Sequence, residues 1–250
     1  MKASAIEFRL RMIIQIVIVL LGFWAPWLGF LKPSTGAFDL DRGMATLEWL
    51  SLEISRSGLV SFTVATPIVI VLGALAAAVG AVLRVWGAAY LGYETVHHGQ
   101  MQAGAVMGAG PYRFMRNPLY MGGWFMMAAI SLLMPPTGAL FTMVMVTVFY
   151  LRLILGEEAF LVTQLGEPYA EYKRAVPRLL PGLRARLPAA AAQPDWLKAV
   201  LTELNPISIF IAIAFLSWTY NNLLMIKAVL IGLGASLIMR AVFDRKSSAA

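Results

Sequence analysis

Two short stretches of the 250-residue chain concentrate the side chains that could do chemistry. The first, Gly108 to Gly122, reads GAGPYRFMRNPLYMG, and the second, Gly156 to Phe160, reads GEEAF. In the first, Arg116 stands between Tyr112 and Tyr120, beside Asn117-Pro118, with Gly108 and Gly110 before it and Gly122 after it. A guanidinium grips a carboxylate through two parallel hydrogen bonds, and glycines let the backbone approach a ligand closely. Pro118 suits the first turn of a helix, whose N-terminal amides and positive dipole end favour an anion. In the second stretch, Glu157 and Glu158 project about 100° apart around a helix. One carboxylate can therefore face a ligand while its neighbour holds Arg116 or Arg113. Together the two stretches can bind a carboxylate, an ammonium or hydroxyl group and, on tyrosine faces, a cation.

Membrane helices must position these residues. The chain is 60% hydrophobic and 13% charged, with a mean hydropathy of +0.74, whereas soluble domains are about half apolar and a quarter charged. An all-α, polytopic integral membrane bundle is expected, because a helix needs roughly 20 apolar residues to cross the bilayer core. The absence of cysteine excludes disulfides, thiolate metal sites and a cysteine nucleophile. Lys2, Arg9 and Arg11 ahead of the apolar run Met12 to Leu21 loosely resemble a signal peptide. The run continues through Trp27 and Phe30 without a small-residue cleavage pattern, which favours a retained signal anchor.

Six spans are expected: Arg11 to Leu31, Leu59 to Leu83, Pro118 to Met134, Thr137 to about Leu155, Asn205 to Tyr220, and Leu223 to about Val242. Pro67 predicts a kink in the second. Its small residues Gly73, Ala77, Gly80 and Ala81 allow a neighbouring helix to come close. Between the spans, Met44 to Ile54 reads as an interfacial helix, Arg84 to Asn117 as a water-facing segment and Leu180 to Pro194 as a linker. Gly166 suits a helix end, and Pro168 starts a helix that stops at Pro177. Three parts follow: helices one and two over residues 1–92, a core over 93–181, and a linker with a C-terminal hairpin over 182–250.

With both termini cytosolic, sixteen of the twenty Lys and Arg residues fall on the inner side. The net charge of +7 is then topology and attraction to anionic lipid heads rather than nucleic-acid binding. The hairpin turning at Met134-Pro135-Pro136 returns both polar stretches to the cytosolic face, expected to be that of a bacterial inner membrane. Arg152 reads as a snorkelling anchor. Met115, Met121, Met126 and Met127 read as core packing or as an adaptable apolar lining. His97 and His98, the two histidines, read as loop residues; as an adjacent pair they suit a metal poorly, and no metal is expected.

S-adenosylmethionine meets the ligand requirements: its carboxylate suits Arg, its amino group and ribose suit Glu, and its sulfonium suits aromatic faces. The pattern GxGPYRFxRNPLYxG, followed after one hairpin by EE and then by LGEPYAEYKRAVPRLLP, resembles the isoprenylcysteine carboxyl methyltransferase and phospholipid methyltransferase superfamily of integral membrane enzymes. The resemblance covers Gly108 to Pro181. It implies a cytosol-facing S-adenosylmethionine pocket. The matching positions are Gly108, Gly110, Tyr112, Arg116, Pro118, Tyr120, Gly122, Glu157 and Glu158; Asn117 and the region of Tyr169 and Tyr172 complete the expected cofactor-binding set, and Arg116 and Glu158 are the expected catalytic pair. It also implies a lipophilic acceptor, carboxylate-like or phospholipid amine-like, that enters laterally from the bilayer. Asn117 departs from the carboxyl methyltransferase pattern, which has His there, and asparagine cannot titrate as a base. Two other classes compete. A membrane reductase of the sterol type would place NADPH near two glutamates that repel its phosphates. A transporter or assembly protein would be expected to show inverted repeats or mid-span charges, and the sequence has neither. Oligomeric state is left open.

Overall fold

The computed structural model describes residues 2–24, 44–91, 108–182, 184–187, 193–219 and 221–247. Every regular element among the described residues is helical, as the composition requires. Two short N-terminal helices, α1 (Ala5–Arg9) and α2 (Arg11–Phe23), lead in. Then come α3 (Thr46–Arg56) and the long α4 (Phe62–Leu91). A tight 3-10 turn, Gly110–Arg113, precedes α5 (Pro118–Ser131), α6 (Pro136–Leu165) and α7 (Glu167–Ala175). The C-terminal part holds α8 (Trp196–Thr202), α9 (Leu204–Ile211), a π turn Ala212–Leu216, a 3-10 turn Ser217–Thr219, and α10 (Asn222–Ser247).

Among the described residues, α4 and α6, 30 residues each, are long and apolar enough to cross a membrane. A third span is completed if α8 and the Leu204–Thr219 segment, bent by 65°, count as one. This is fewer than the six spans read from the sequence. Helix α5 has only 14 residues, about 21 Å of rise, because the chain leaves it before the turn at Pro135. Helix α2 and the stretch Leu223–Met239 are shorter apolar helices, and residues 25–43, which would complete the first span, lie outside the described residues. The long helices turn Val64, Ile68, Val71, Leu75, Val79, Leu140, Val144 and Val148 outward, as lipid-facing surfaces do. Helix α4 runs unbroken through Pro67 and on to Leu91. It therefore takes in Arg84, which had been assigned to the water-facing segment.

The small-residue stripe of α4 faces α5. A methyl group on Gly80 would sit 2.9 Å from the Gly122 carbonyl, and one on Gly122 would sit 2.8 Å from that of Gly80. The two backbones touch there, which only glycine permits. The core beside this crossing is built from Ala77, Met126, Ile130, Leu133, Val146, Phe149 and Leu153. Gly166, at φ 62°, ends α6, and α7 begins at the next residue. The proposed linker is partly fixed in place. Gly182 N–H donates to the Phe114 carbonyl at 3.0 Å, Arg186 N–H to that of Arg113 at 3.0 Å, and Arg113 Nε to that of Leu187 at 2.9 Å.

Candidate active site

The turn before α5 and the end of α6 do meet. Arg116 Nε donates to Glu158 Oε1 at 3.0 Å, and its Nη2 lies 3.0 Å from the same oxygen. Its Nη1 donates to the Val176 carbonyl at 2.9 Å and also to that of Lys173. Arg178, not among the expected site residues, completes the cluster through Nη2 and Nε at 2.9 and 3.1 Å from the Glu158 oxygens, with Lys173 Nζ at 3.9 Å. The Glu158 and Arg116 side chains are 3% and 7% exposed. They occupy one another inside the protein, where an unpaired charge would be costly.

The same cluster holds Val176, Pro177 and Arg178 against the turn. Arg116 N–H donates to the Pro177 carbonyl at 2.9 Å, and Asn117 Nδ2 to that of Arg178 at 3.1 Å. Asn117 precedes Pro118, the first residue of α5. Tyr172 donates its hydroxyl to the Tyr112 carbonyl at 2.9 Å, and Tyr169 packs against it with ring centroids 5.7 Å apart. Burial, more than any neighbouring charge, pushes both of these hydroxyls above their ordinary range, as it does that of Tyr112. All three are held neutral. Gly108 and Gly110 have φ of +90° and +49°, and a side chain on Gly110 would collide with the Tyr90 ring. Gly122 is spent on the helix crossing. These three glycines thus have structural reasons for being glycine.

Glu157 points the other way around α6. Its Oε2 accepts the Tyr120 hydroxyl at 2.9 Å, and the Tyr120 ring meets Tyr150 edge-on at 5.6 Å. Both residues line a cavity of about 370 Å³ with a mixed wall, its polar part including Arg11, Gln15, Arg84, Tyr120, Tyr150, Glu157, Glu203 and Asn205. On its wall Arg84 and Glu203 form a bidentate pair, Nε to Oε2 at 2.7 Å and Nη2 to Oε1 at 2.9 Å. A second cavity of about 520 Å³ is almost wholly apolar, with Val79, Leu83, Met115, Met121, Trp124, Phe125, Leu179, Leu180 and Pro181 in its wall. Tyr120 and Tyr150 line both. Met115 and Met121 therefore sit on the apolar cavity, and Met126 and Met127 on the polar one.

Arg152, read as a snorkelling anchor, makes an ion pair: its Nη2 lies 2.8 and 2.9 Å from the two oxygens of Glu7. His97 and His98 lie outside the described residues. Among the described residues no cluster of His, Asp and Glu suits a metal. Arg84, Glu203, Tyr150 and Asn205 were missed in the sequence. The available signal was Glu203, a lone carboxylate at the mouth of an apolar span, since an ionisable residue bordering a bundle usually has a partner.

Residues 68–167 match the family model described as phospholipid methyltransferase, in agreement with the superfamily resemblance carried by the Arg116 turn and the paired glutamates. The match runs from within α4 to the end of α6 and so takes in Arg84, Arg116, Tyr120, Tyr150 and Glu157. Comparison with curated proteins and with solved structures returns no match.

Proposed function

We propose that the protein is an S-adenosylmethionine-dependent methyltransferase that modifies a lipophilic acceptor at the cytosolic face of a membrane. The observation that carries this reading is the pair of cavities, one polar and one apolar, that share Tyr120 and Tyr150 as a common wall. Methyl transfer to a lipid needs this division: a place for a charged donor, a place for a hydrocarbon chain, and a short path between them. The polar donor set fits S-adenosylmethionine. Glu157 can accept from the amino group or ribose, Arg11 can face the carboxylate, and the rings of Tyr120 and Tyr150 suit a sulfonium. When bound, that molecule supplies an electrophilic methyl group.

The chain's own residues bind, align and exclude water. Tyr120 holds the Glu157 carboxylate in place through its hydroxyl. The tyrosine pair separates the headgroup side from the chain side. Residues Leu179 to Pro181 wall the apolar cavity against the cytosolic segments. Alignment of donor and acceptor can contribute about 7–11 kcal/mol of the barrier reduction. Arg116 and Glu158, expected from the motif to act on the ligand, are positioning residues in this reading, because they saturate each other and anchor residues 176–178. The acceptor is an isoprenylcysteine carboxylate-like or phospholipid amine-like molecule whose chain fills the apolar cavity.

Calorimetric titration of the detergent-purified protein with S-adenosylmethionine, in parallel with NADPH, tests the proposal. Saturable binding of the former alone, lost in Glu157→Ala with the fold retained, is expected. Binding of NADPH alone would move the protein to the reductases and refute the reading.

A further inference from the structure

Four polar side chains stand in the wall of the apolar cavity: Tyr120, Trp124, Thr147 and Tyr150. Three of them are already engaged. Tyr120 donates to Glu157, Trp124 Nε1 donates to Thr147 Oγ1 at 2.9 Å, and Thr147 donates in turn to the Met143 carbonyl at 2.7 Å. The Tyr150 hydroxyl makes no hydrogen bond among the described residues. Within those residues Asn205 Oδ1 is the one side-chain polar atom both sealed from water and without a partner. The Tyr150 hydroxyl, although its residue is only 5% exposed, therefore stays open to the space it lines. Gly123 makes room for it, since a methyl group there would lie 2.8 Å from the Tyr150 oxygen, and Gly123 belongs to the wall of the cavity that holds Glu157. The hydroxyl thus stands where the two cavities adjoin, and a nearly buried hydroxyl without a partner calls for one.

Resting on the methyltransferase reading, we propose that the Tyr150 hydroxyl donates a hydrogen bond to an anionic oxygen on the head of the acceptor and so fixes where the lipid stops. An O–H bonded to an oxyanion is short and charge-assisted. With its chain in the apolar cavity, a lipid meets one unspent polar group in that wall, at the end nearest the methyl donor. Two acceptors carry such an oxygen. One is the carboxylate of a prenylated cysteine, whose second oxygen takes the methyl group; the other is the phosphate of an aminophospholipid, whose amine lies farther in. In both, the held oxygen is not the atom that forms the new bond. The contact is then made before and during transfer alike, and it sets KM rather than kcat.

The test uses the full chain in detergent micelles and compares wild type with Tyr150→Phe. Initial rates with S-adenosylmethionine give KM and kcat for two acceptors, an S-prenylated N-acetylcysteine and phosphatidylethanolamine. Calorimetry gives the affinity for S-adenosylhomocysteine, and thermal unfolding gives the stability. Tyr150→Phe is expected to raise KM for one acceptor about tenfold, the size of one hydrogen bond to a charged group, with kcat, S-adenosylhomocysteine affinity and stability unchanged. A rise with the prenylated cysteine assigns the oxygen to a carboxylate; a rise with phosphatidylethanolamine assigns it to a phosphate. An unchanged KM for every acceptor that wild type methylates overturns the inference. So does a loss of S-adenosylhomocysteine affinity, which would give the hydroxyl to the donor. A destabilised or unfolded Tyr150→Phe also overturns it, because the hydroxyl would then be engaged within the protein. Wild type that binds S-adenosylhomocysteine but methylates neither acceptor overturns the inference and leaves the methyltransferase reading standing. Wild type that neither binds nor methylates overturns both.

Discussion

Removing Glu158 tests whether the motif does chemistry directly or holds the frame around it. The carboxylate is 3% exposed and its main partner Arg116 is 7% exposed. Deleting one side of such a pair leaves a buried charge, at a typical cost of about 3–5 kcal/mol. Arg116 would retain its bonds to the Lys173 and Val176 carbonyls, which places Glu158→Ala at the lower end, about 3 kcal/mol. Arg178 is different: its side chain is 39% exposed, so solvent screens its share of the attraction. Arg178→Ala is expected to cost no more than about 1 kcal/mol. Unfolding in a denaturing detergent series measures both. Hydrogen exchange adds a local readout, since residues 176–182 are pinned beside this cluster and are expected to open first in Glu158→Ala. A Glu158→Ala cost below about 1 kcal/mol, or equal costs for the two variants, would refute the buried-hub reasoning.

Three further outcomes follow from the same geometry. Tyr120→Phe removes the donor to Glu157 Oε2 and is expected to lower methyl transfer about tenfold, one charge-assisted hydrogen bond; an unchanged rate in a folded variant would separate this pair from the reaction. Gly122→Ala forces a methyl group to 2.8 Å from the Gly80 carbonyl and 3.2 Å from the Arg84 nitrogen. An overpacking cost of about 1–3 kcal/mol is expected in the same unfolding series, and no loss would mean that α4 and α5 do not cross there. Tyr172, raised above its ordinary 10.0 first by burial and then by Tyr169, favours its neutral form in the folded chain. The stability this contributes is complete below about pH 10 and declines as the pH rises toward the folded-state value. Absorbance near 295 nm is expected to show Tyr172 ionising later than exposed tyrosines, judged by difference against Tyr172→Phe; coincident titration would contradict its burial.

The sequence was most informative where the cause is local. Pro118, Gly166, Pro168 and Pro177 each mark a helix boundary that the structure has, because proline and glycine act on their own backbone within a turn. The stripe on α4 was half readable: spacing exposed a surface for close approach, and only the fold identified Gly122 as its partner. The Arg84–Glu203 pair was not readable at all. Its members are 119 residues apart, and hydrophobic periodicity carries no information about which distant charge will meet another. The span count differs for a related reason, since the six spans were read from apolar stretches, whereas only two to three helices among the described residues are long and apolar enough to cross, α5 having 14 residues.

The same distinction changes how the motif itself is read. Gly122 permits a helix crossing, Gly110 a tight approach to Tyr90, and Arg116 with Glu158 a buried tie to residues 176–178. Pattern alone offered these residues to a ligand, while allowing one glutamate to hold Arg116 instead, because catalytic and architectural residues look alike in one dimension: both are unusual, polar or small, and sit at helix ends. Burial separates them. A guanidinium that already donates to a carboxylate and two carbonyls has little left for a ligand, whereas Glu157 lines a cavity with one oxygen engaged by Tyr120 and the other available to accept. In this bundle, part of the motif ties the frame together, while Tyr120 and Glu157, also within it, line the cavity.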